Sequence, residues 1–381
     1  MPSPRSSTIR VRTRKISVLR QCLARVTIER EVKMSKYKPN TLIKIIFMAL
    51  LPAARLAATA LFVTLLAMGS FHAALAQTAP SPIASEAITT PAEPDDSDFL
   101  QTPGGRRIHK SCIHEVPDGA IIDINDDVSV GGKFLKHIPK CAYAARQAPT
   151  VNGWVEYSQG SAPANPYGHT WFGDLNVAFV VPVAPTSNSG QLIFLFPGLE
   201  PTNGNSILQP VLQYGTSAAG GGYFWAMANW YAIGCCSAVH SPLQRVNTGD
   251  TITSWIYLPG GTGWWNANPT CGTAGTNCTW VVEYNINGAR VGTFWLYATT
   301  PDSYPQAVQG TLEAYNVTVC NQFPASPTTF IRDSVSECGA TCDTQIAVYP
   351  NWSNYYYPVV NGPPYCPFSI TTLSNGVTLN Y

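Results

Sequence analysis

From about residue 150 onward, apolar and polar positions alternate with a period of two. The stretches LNVAFVVPV (175–183), GQLIFLFPG (190–198), YFWAMANWYAIG (223–234), DTITSWIYL (250–258) and CTWVVEYNINGARVGTFWLYA (278–298) all read this way. Successive side chains of an extended chain point to opposite sides, so this pattern gives each strand one buried face and one free face. Gly, Pro, Asn and Ser separate the runs, and Asn287-Gly288 inside EYNINGARVG is a two-residue hairpin signal. No stretch of this region repeats at helical spacing. The pattern predicts an all-β domain over 150–381: an antiparallel two-sheet β-sandwich, or a barrel, with one core.

Two of the strands carry polar groups where apolar ones would serve. In ILQPVLQYG (207–215) one face is Ile207, Gln209, Val211 and Gln213. In VQGTLEAY (308–315) one face is Gln309, Thr311, Glu313 and Tyr315, and the other is Val308, Gly310, Leu312 and Ala314. A carboxylate on a partly shielded polar floor with few cations nearby has its pKa raised by desolvation. If the two strands share a sheet, a glutamine and Glu313 meet across a groove.

The N-terminus changes the picture of charge. The whole chain has 23 Lys and Arg against 22 Asp and Glu, but residues 1–76 hold 13 of the basic residues and only two acidic ones, Glu29 and Glu31. They read as an extension and a secretory signal, with an apolar run of 14 residues at 56–69 and the small-residue site Ala74-Leu75-Ala76. Met34 is the better start, and the run is short for a transmembrane span. Residues 77–381 contain 20 acidic and 10 basic residues, a net charge of −10, and residues 150–381 contain no lysine. Such a surface is a poor partner for nucleic acid. Few groups there must stay ionised for the fold, which suits an acidic exterior.

Export agrees with the cysteines. Of 11, only Cys22 lies before residue 77, and the remaining ten predict up to five disulfides, with Cys112–Cys141 and Cys271–Cys278 as candidate pairs. Zinc at Cys338 and Cys342 is the rival reading, but no histidine cluster accompanies them. Residues 77–103 read as a disordered linker rich in Pro, Ser, Thr and Asp. Residues 104–149 read as a small propeptide segment containing a hairpin, and Lys133, Lys136, His137 and Lys140 form its basic cluster. That cluster is either a solvated surface or the part of a propeptide that covers an acidic cleft.

Common catalytic motifs are absent: the sequence has no GxSxG, HExxH or P-loop. His169 and His240 read as structural histidines. Carboxylates and amides remain, and 150–381 has only five glutamates: Glu156, Glu200, Glu283, Glu313 and Glu337.

Taken in order, these strands resemble the glutamic peptidases, or eqolisins. That family's ILQTG strand, bearing a catalytic glutamine, is matched by ILQP at 207–210, and its EWYP strand by ANWYA at 228–232. Its GDSI strand resembles GDTI at 249–252, its ENLTTGQ hairpin EYNINGARVG, and its AEFIIEDF strand VQGTLEAY, which puts the catalytic glutamate on Glu313. The resemblance covers about 150–320 and implies a lectin-like (concanavalin A-like) jelly roll. It further implies a monomeric secreted acid endopeptidase, extracellular or periplasmic, acting on polypeptides without a cofactor or metal. In its mechanism Glu313 is the base on a water, and Gln209 or, alternatively, Gln213 is the amide donor. Those two amides stand roughly 13 Å apart along a strand, so only one serves. Asn229, Tyr231, Gln309, Thr311 and Glu200 are the expected groove residues. Asn229 replaces a family carboxylate, and FLFPGLEP replaces AWVGIDG, exchanging tryptophan for Phe196 and aspartate for Glu200. The alternatives are a non-catalytic carbohydrate-binding or cell-surface sandwich and a glycoside hydrolase. Among the aromatics, Trp225, Trp230, Trp255 and Trp280 read as core, and Trp264-Trp265 and Tyr355-Tyr356-Tyr357 as groove lining.

Overall fold

The computed structural model describes residues 94–147, 153–233, 236–259, 271, 275–288, 293–338, 345–356 and 366–381. They form strands and short 3-10 turns, with no α-helix among the described residues. The signal and Trp264-Trp265 lie outside them, as does Tyr357. The front sheet runs, in order, Trp352–Tyr356, Gly153–Ser161, Gln306–Tyr315, Leu192–Glu200, Ile207–Ser217, Gly220–Ile233, Ser237–His240 and Ile113–Glu115. The back sheet runs Ser369–Leu373, Gly376–Asn380, Thr328–Cys338, Phe172–Val180, Thr251–Tyr257, Cys278–Ile286, Thr293–Thr300, Ala120–Ile122, Asp127–Val130 and Lys133–His137. Pairing is antiparallel except at two places, where Ile113–Glu115 joins Ser237–His240 and Ala120–Ile122 joins Thr293–Thr300 in parallel.

The alternation in the sequence decides what faces what. Leu195, Leu208, Leu212, Met227, Tyr231 and Leu312 of the front sheet pack against Leu175, Val177, Ile256, Val282, Leu296 and Phe330 of the back sheet, all buried in one core. Burying each such side chain contributes roughly 1.5–3 kcal/mol. The other side of the front sheet is buried too: Phe194, Phe196, Ile207, Val211, Trp230, Val308 and Tyr315 form a second cluster with Ile108 and Cys112 from the N-terminal segment. Close approach of the sheets leaves no room at Gly310, where a methyl group would stand 2.5 Å from Phe330 Cδ2. We expect Gly310→Val to destabilise the domain by several kcal/mol through overpacking, read as a lowered denaturation midpoint.

Cys278–Ile286 and Thr293–Thr300 pair antiparallel as the hairpin reading expects, but Asn285 stands opposite Thr293, so the connection is longer than a two-residue turn; Asn287 and Gly288 both take positive φ, 55° and 67°. Disulfides join Cys112–Cys141, Cys271–Cys278 and Cys320–Cys366. Cys338 is disulfide-bonded as well, and the described residues contain no metal-holding cluster. Residues 94–103, read from sequence as linker, are ordered: Phe99–Thr102 pairs with Arg106–His109 in a hairpin. The basic cluster is placed away from that hairpin, on and just after the outermost strand of the back sheet, where Lys136 donates to the Glu115 carbonyl and His137 meets Asp127. No helix of the described residues is long and apolar enough to cross a membrane.

Candidate active site

Leu192–Glu200 lies between the two polar strands and pairs with both, so Glu313 and Gln213 each stand opposite Phe194. Gln209 sits farther along its strand, opposite Trp230. All of these project from the front sheet on the side away from the main core. Glu313 is 0% exposed. Its carboxylate accepts the backbone N–H of Gly104 at 2.8 Å and that of Gly105 at 2.7 Å. It also accepts the Tyr315 hydroxyl and a side-chain hydrogen bond from Trp154. Four donors match the roughly four lone-pair sites of an ionised carboxylate. Burial nevertheless dominates and pushes the Glu313 pKa up to about 7, with these hydrogen bonds working against it.

The donors at 104 and 105 belong to the turn of the hairpin Phe99–Thr102/Arg106–His109. Both glycines take positive φ, 93° and 81°, which aims two successive N–H groups in one direction. A methyl group at Gly104 would stand 3.3 Å from Ile207 Cγ2 and 3.8 Å from Gln209 Nε2. The same turn therefore abuts both Glu313 and Gln209. Gln209 is 0% exposed, and neither its Nε2 nor its Oε1 has a hydrogen-bond partner among the described residues. The Trp230 indole N–H opposite it and the Thr311 hydroxyl, two residues from Glu313, are unpartnered in the same way. Burying an unpaired polar group costs about 1–3 kcal/mol, so Gln209 is held there at some cost to stability.

The other glutamine differs. Gln213 donates to the Gly215 carbonyl at 3.1 Å and the Gly220 carbonyl at 2.9 Å, and accepts from Ser217 Oγ at 2.8 Å. Its amide is committed to the neighbouring turn. Glu200 accepts from Gln159 Nε2 at 3.3 Å. Its pKa is pushed up to about 7, first by burial and then by the charge of Glu313, while Arg106 opposes both. Arg106 also donates to the Asn205 carbonyl at 3.3 Å and to the Gly204 carbonyl.

Three expected groove residues lie elsewhere. A bulge between Val308 and Gly310 shifts the register, so Val308 faces the Glu313 side. Gln309 turns inward instead, donating to Ser158 Oγ at 2.8 Å and accepting from Arg332. Tyr231 belongs to the main core, and Asn229 alternates with Trp230 and so shares the core side with Tyr231. Thr311 and Glu200 remain near Glu313. Tyr355 stacks on Tyr157 at 4.8 Å, at the edge of the same face. Of the four tryptophans read as core, Trp255 is only half-buried and donates to Asp174, while Trp225, Trp230 and Trp280 are buried. His169 and His240 bond backbone carbonyls, as structural histidines do.

Solved structures offer a distant likeness. The crystal structure of scytalido-glutamic peptidase with a peptide-based transition state analog aligns with 60% of this chain and 98% of its own, at 12% identity and a TM-score of 0.36. SCP-B, a member of the eqolisin family of peptidases in complex with the tripeptide Ala-Ile-His, aligns over the same shares at 11% identity and a TM-score of 0.34. No family model and no curated protein matches the chain.

Sequence reading missed Gly104, Gly105, Tyr315 and Trp154 as partners of Glu313. The run TPGGRR at 102–107 carries a turn signal, two glycines between alternating residues, but nothing in it says where the turn docks.

Proposed function

We propose that this chain is an exported acid endopeptidase in which Glu313 and Gln209 divide the work on one water molecule. The observation that carries the reading is the pairing of a buried carboxylate with a buried, unpartnered carboxamide against one and the same turn. With that turn displaced, water takes its place. Glu313 removes a proton from this water as its oxygen bonds to the scissile carbonyl carbon. Gln209 Nε2–H donates to the oxyanion, needing no charge to do so. The carbon–nitrogen bond then breaks and Glu313 returns its proton to the leaving amine. Returning water also relieves the burial that raises Glu313, so the carboxylate ionises in acid.

The test is digestion of an unfolded protein by the chain across pH 2–8, with the turn displaced by Gly104→Leu. We expect cleavage in acid, unaffected by pepstatin-type, serine-directed or chelating inhibitors; no cleavage at any pH overturns the reading. The two glutamines provide a second check. Gln209→Ala is expected to lower kcat/KM by about 10²–10³-fold without loss of stability. Gln213→Ala is expected to cost about 1–3 kcal/mol in denaturant melts, because it strands two carbonyls and a hydroxyl.

A further inference from the structure

The N-terminal segment is held in two different ways. Residues 110–147 are built into the sandwich. Ile113–Glu115 and Ala120–Ile122 add to the front and back sheets, and Val116, Ala120, Ile122, Val128 and Ile138 lie in the main core, none more than 2% exposed. The hairpin before them is laid on the front sheet from outside. Phe99, Thr102, Ile108 and His109 of the hairpin are buried, and Arg106 and Arg107 pair with Gln147 and Arg146. Its further anchors are ion pairs near the surface: Arg107 and Arg146 both meet Asp96 at 2.7 Å, and Lys110 meets Asp98 at 2.7 Å. Arg146 also covers the Phe99 ring at 3.9 Å. The Cys112–Cys141 disulfide lies within the built-in part and begins three residues after the hairpin ends. Ion pairs of this exposure contribute little each.

At its tip the hairpin does what a groove blocker must. Its two amide groups take lone pairs that Glu313 needs for a water proton, its backbone fills the space beside the Gln209 amide, and Glu313 has no solvent exposure left. We infer that the hairpin Phe99–His109 is a resident latch on the Glu313 groove, switched by displacement while residues 110–147 stay in place as its hinge and as part of the fold. The latch rests on the peptidase reading for its consequence, but not for its geometry.

Hydrogen exchange on the full chain separates the two. In Glu313→Gln the amides of Gly104 and Gly105 lose a charged acceptor, and we expect their exchange to speed up at least tenfold; unchanged protection overturns the latch. Gly104→Leu forces a side chain against Ile207 and Gln209, and Arg107→Ala with Arg146→Ala removes both anchors on Asp96 without touching the groove. Either is expected to raise cleavage of unfolded protein at least tenfold over the native chain, with 110–147 retained in the intact mass of the active species after reduction. An active species lacking 110–147 overturns the latch. So does a native chain that cleaves at the rate of both variants while Gly104 and Gly105 stay protected, and that result leaves the peptidase reading standing. Faster exchange in Glu313→Gln with no cleavage by either displaced variant has the opposite meaning: the latch stands and the peptidase reading falls.

Discussion

Glu313→Gln, made together with the displaced hairpin, is expected to fold normally and to lose peptidase activity, with kcat/KM reduced by about 10³-fold or more. The carboxamide has nearly the shape of the carboxylate and keeps its place opposite Phe194. It has no basic oxygen able to take a proton from water, and none to return to the amine. The loss should fall on kcat rather than KM, because the missing interaction is made only as the proton moves. Full activity in this variant, measured in acid on an unfolded protein, removes Glu313 from the chemistry. Glu313→Gln alone, with the hairpin in place, should gain stability relative to the native chain as pH rises above 7, since it no longer has to bury a charge.

That gain belongs to a larger effect. Burial pushes Glu156 up to about 8 and Glu200, Glu313 and Glu337 up to about 7, and it raises Asp174 and Glu283 as well. In the unfolded chain these groups titrate near their ordinary values, around 4. Between there and pH 7–8 the folded state holds protons that the unfolded state has released, so stability falls as pH rises. The benefit is complete below the unfolded values and is lost through the folded ones. His114 and His240 act in the opposite sense: burial lowers both, so they favour unfolding as they protonate in acid. Asp96, Asp98 and Asp250, near the surface and lowered by hydrogen-bonded partners, add a small acid penalty. The carboxyls outnumber these, and each tenfold difference in proton affinity between the two states is worth about 1.4 kcal/mol. Thermal melts should therefore peak near pH 4–5 and fall by on the order of 10 °C toward pH 8. Glu156→Gln should flatten the alkaline side most. A melting temperature that rises steadily from pH 4 to 8 contradicts this.

Much of the architecture is legible because a period of two is a local property. Ile207 to Gln213 alternates in sequence and alternates in space, and this alternation puts Gln209 and Glu313 on one side of one sheet once Leu192–Glu200 joins their strands. The sequence does not contain the bulge at Val308–Gly310, which exists only through pairing with Gly153–Ser161 and reverses the side on which Gln309 stands. Nor does it say that Gln213 is committed to carbonyls of the next turn, or that Tyr231 faces inward while Trp230 faces out. The largest omission is the hairpin at 99–109. Its alternation is too short to separate from a linker, and its meaning lies in a contact 209 residues away, from Gly104 to Glu313.

The two parallel joins made by Ile113–Glu115 and Ala120–Ile122 have a further consequence. Each covers a row of backbone amides and carbonyls that Ser237–His240 and Thr293–Thr300 would otherwise present to solvent. A chain shortened to begin at residue 150 would therefore carry two open sheet edges ready to recruit strands from other molecules. Such a fragment should form fibrillar or amorphous aggregates at concentrations where the longer chain stays dispersed. The stretch that reads as a disposable leader thus also acts as a guard against self-association.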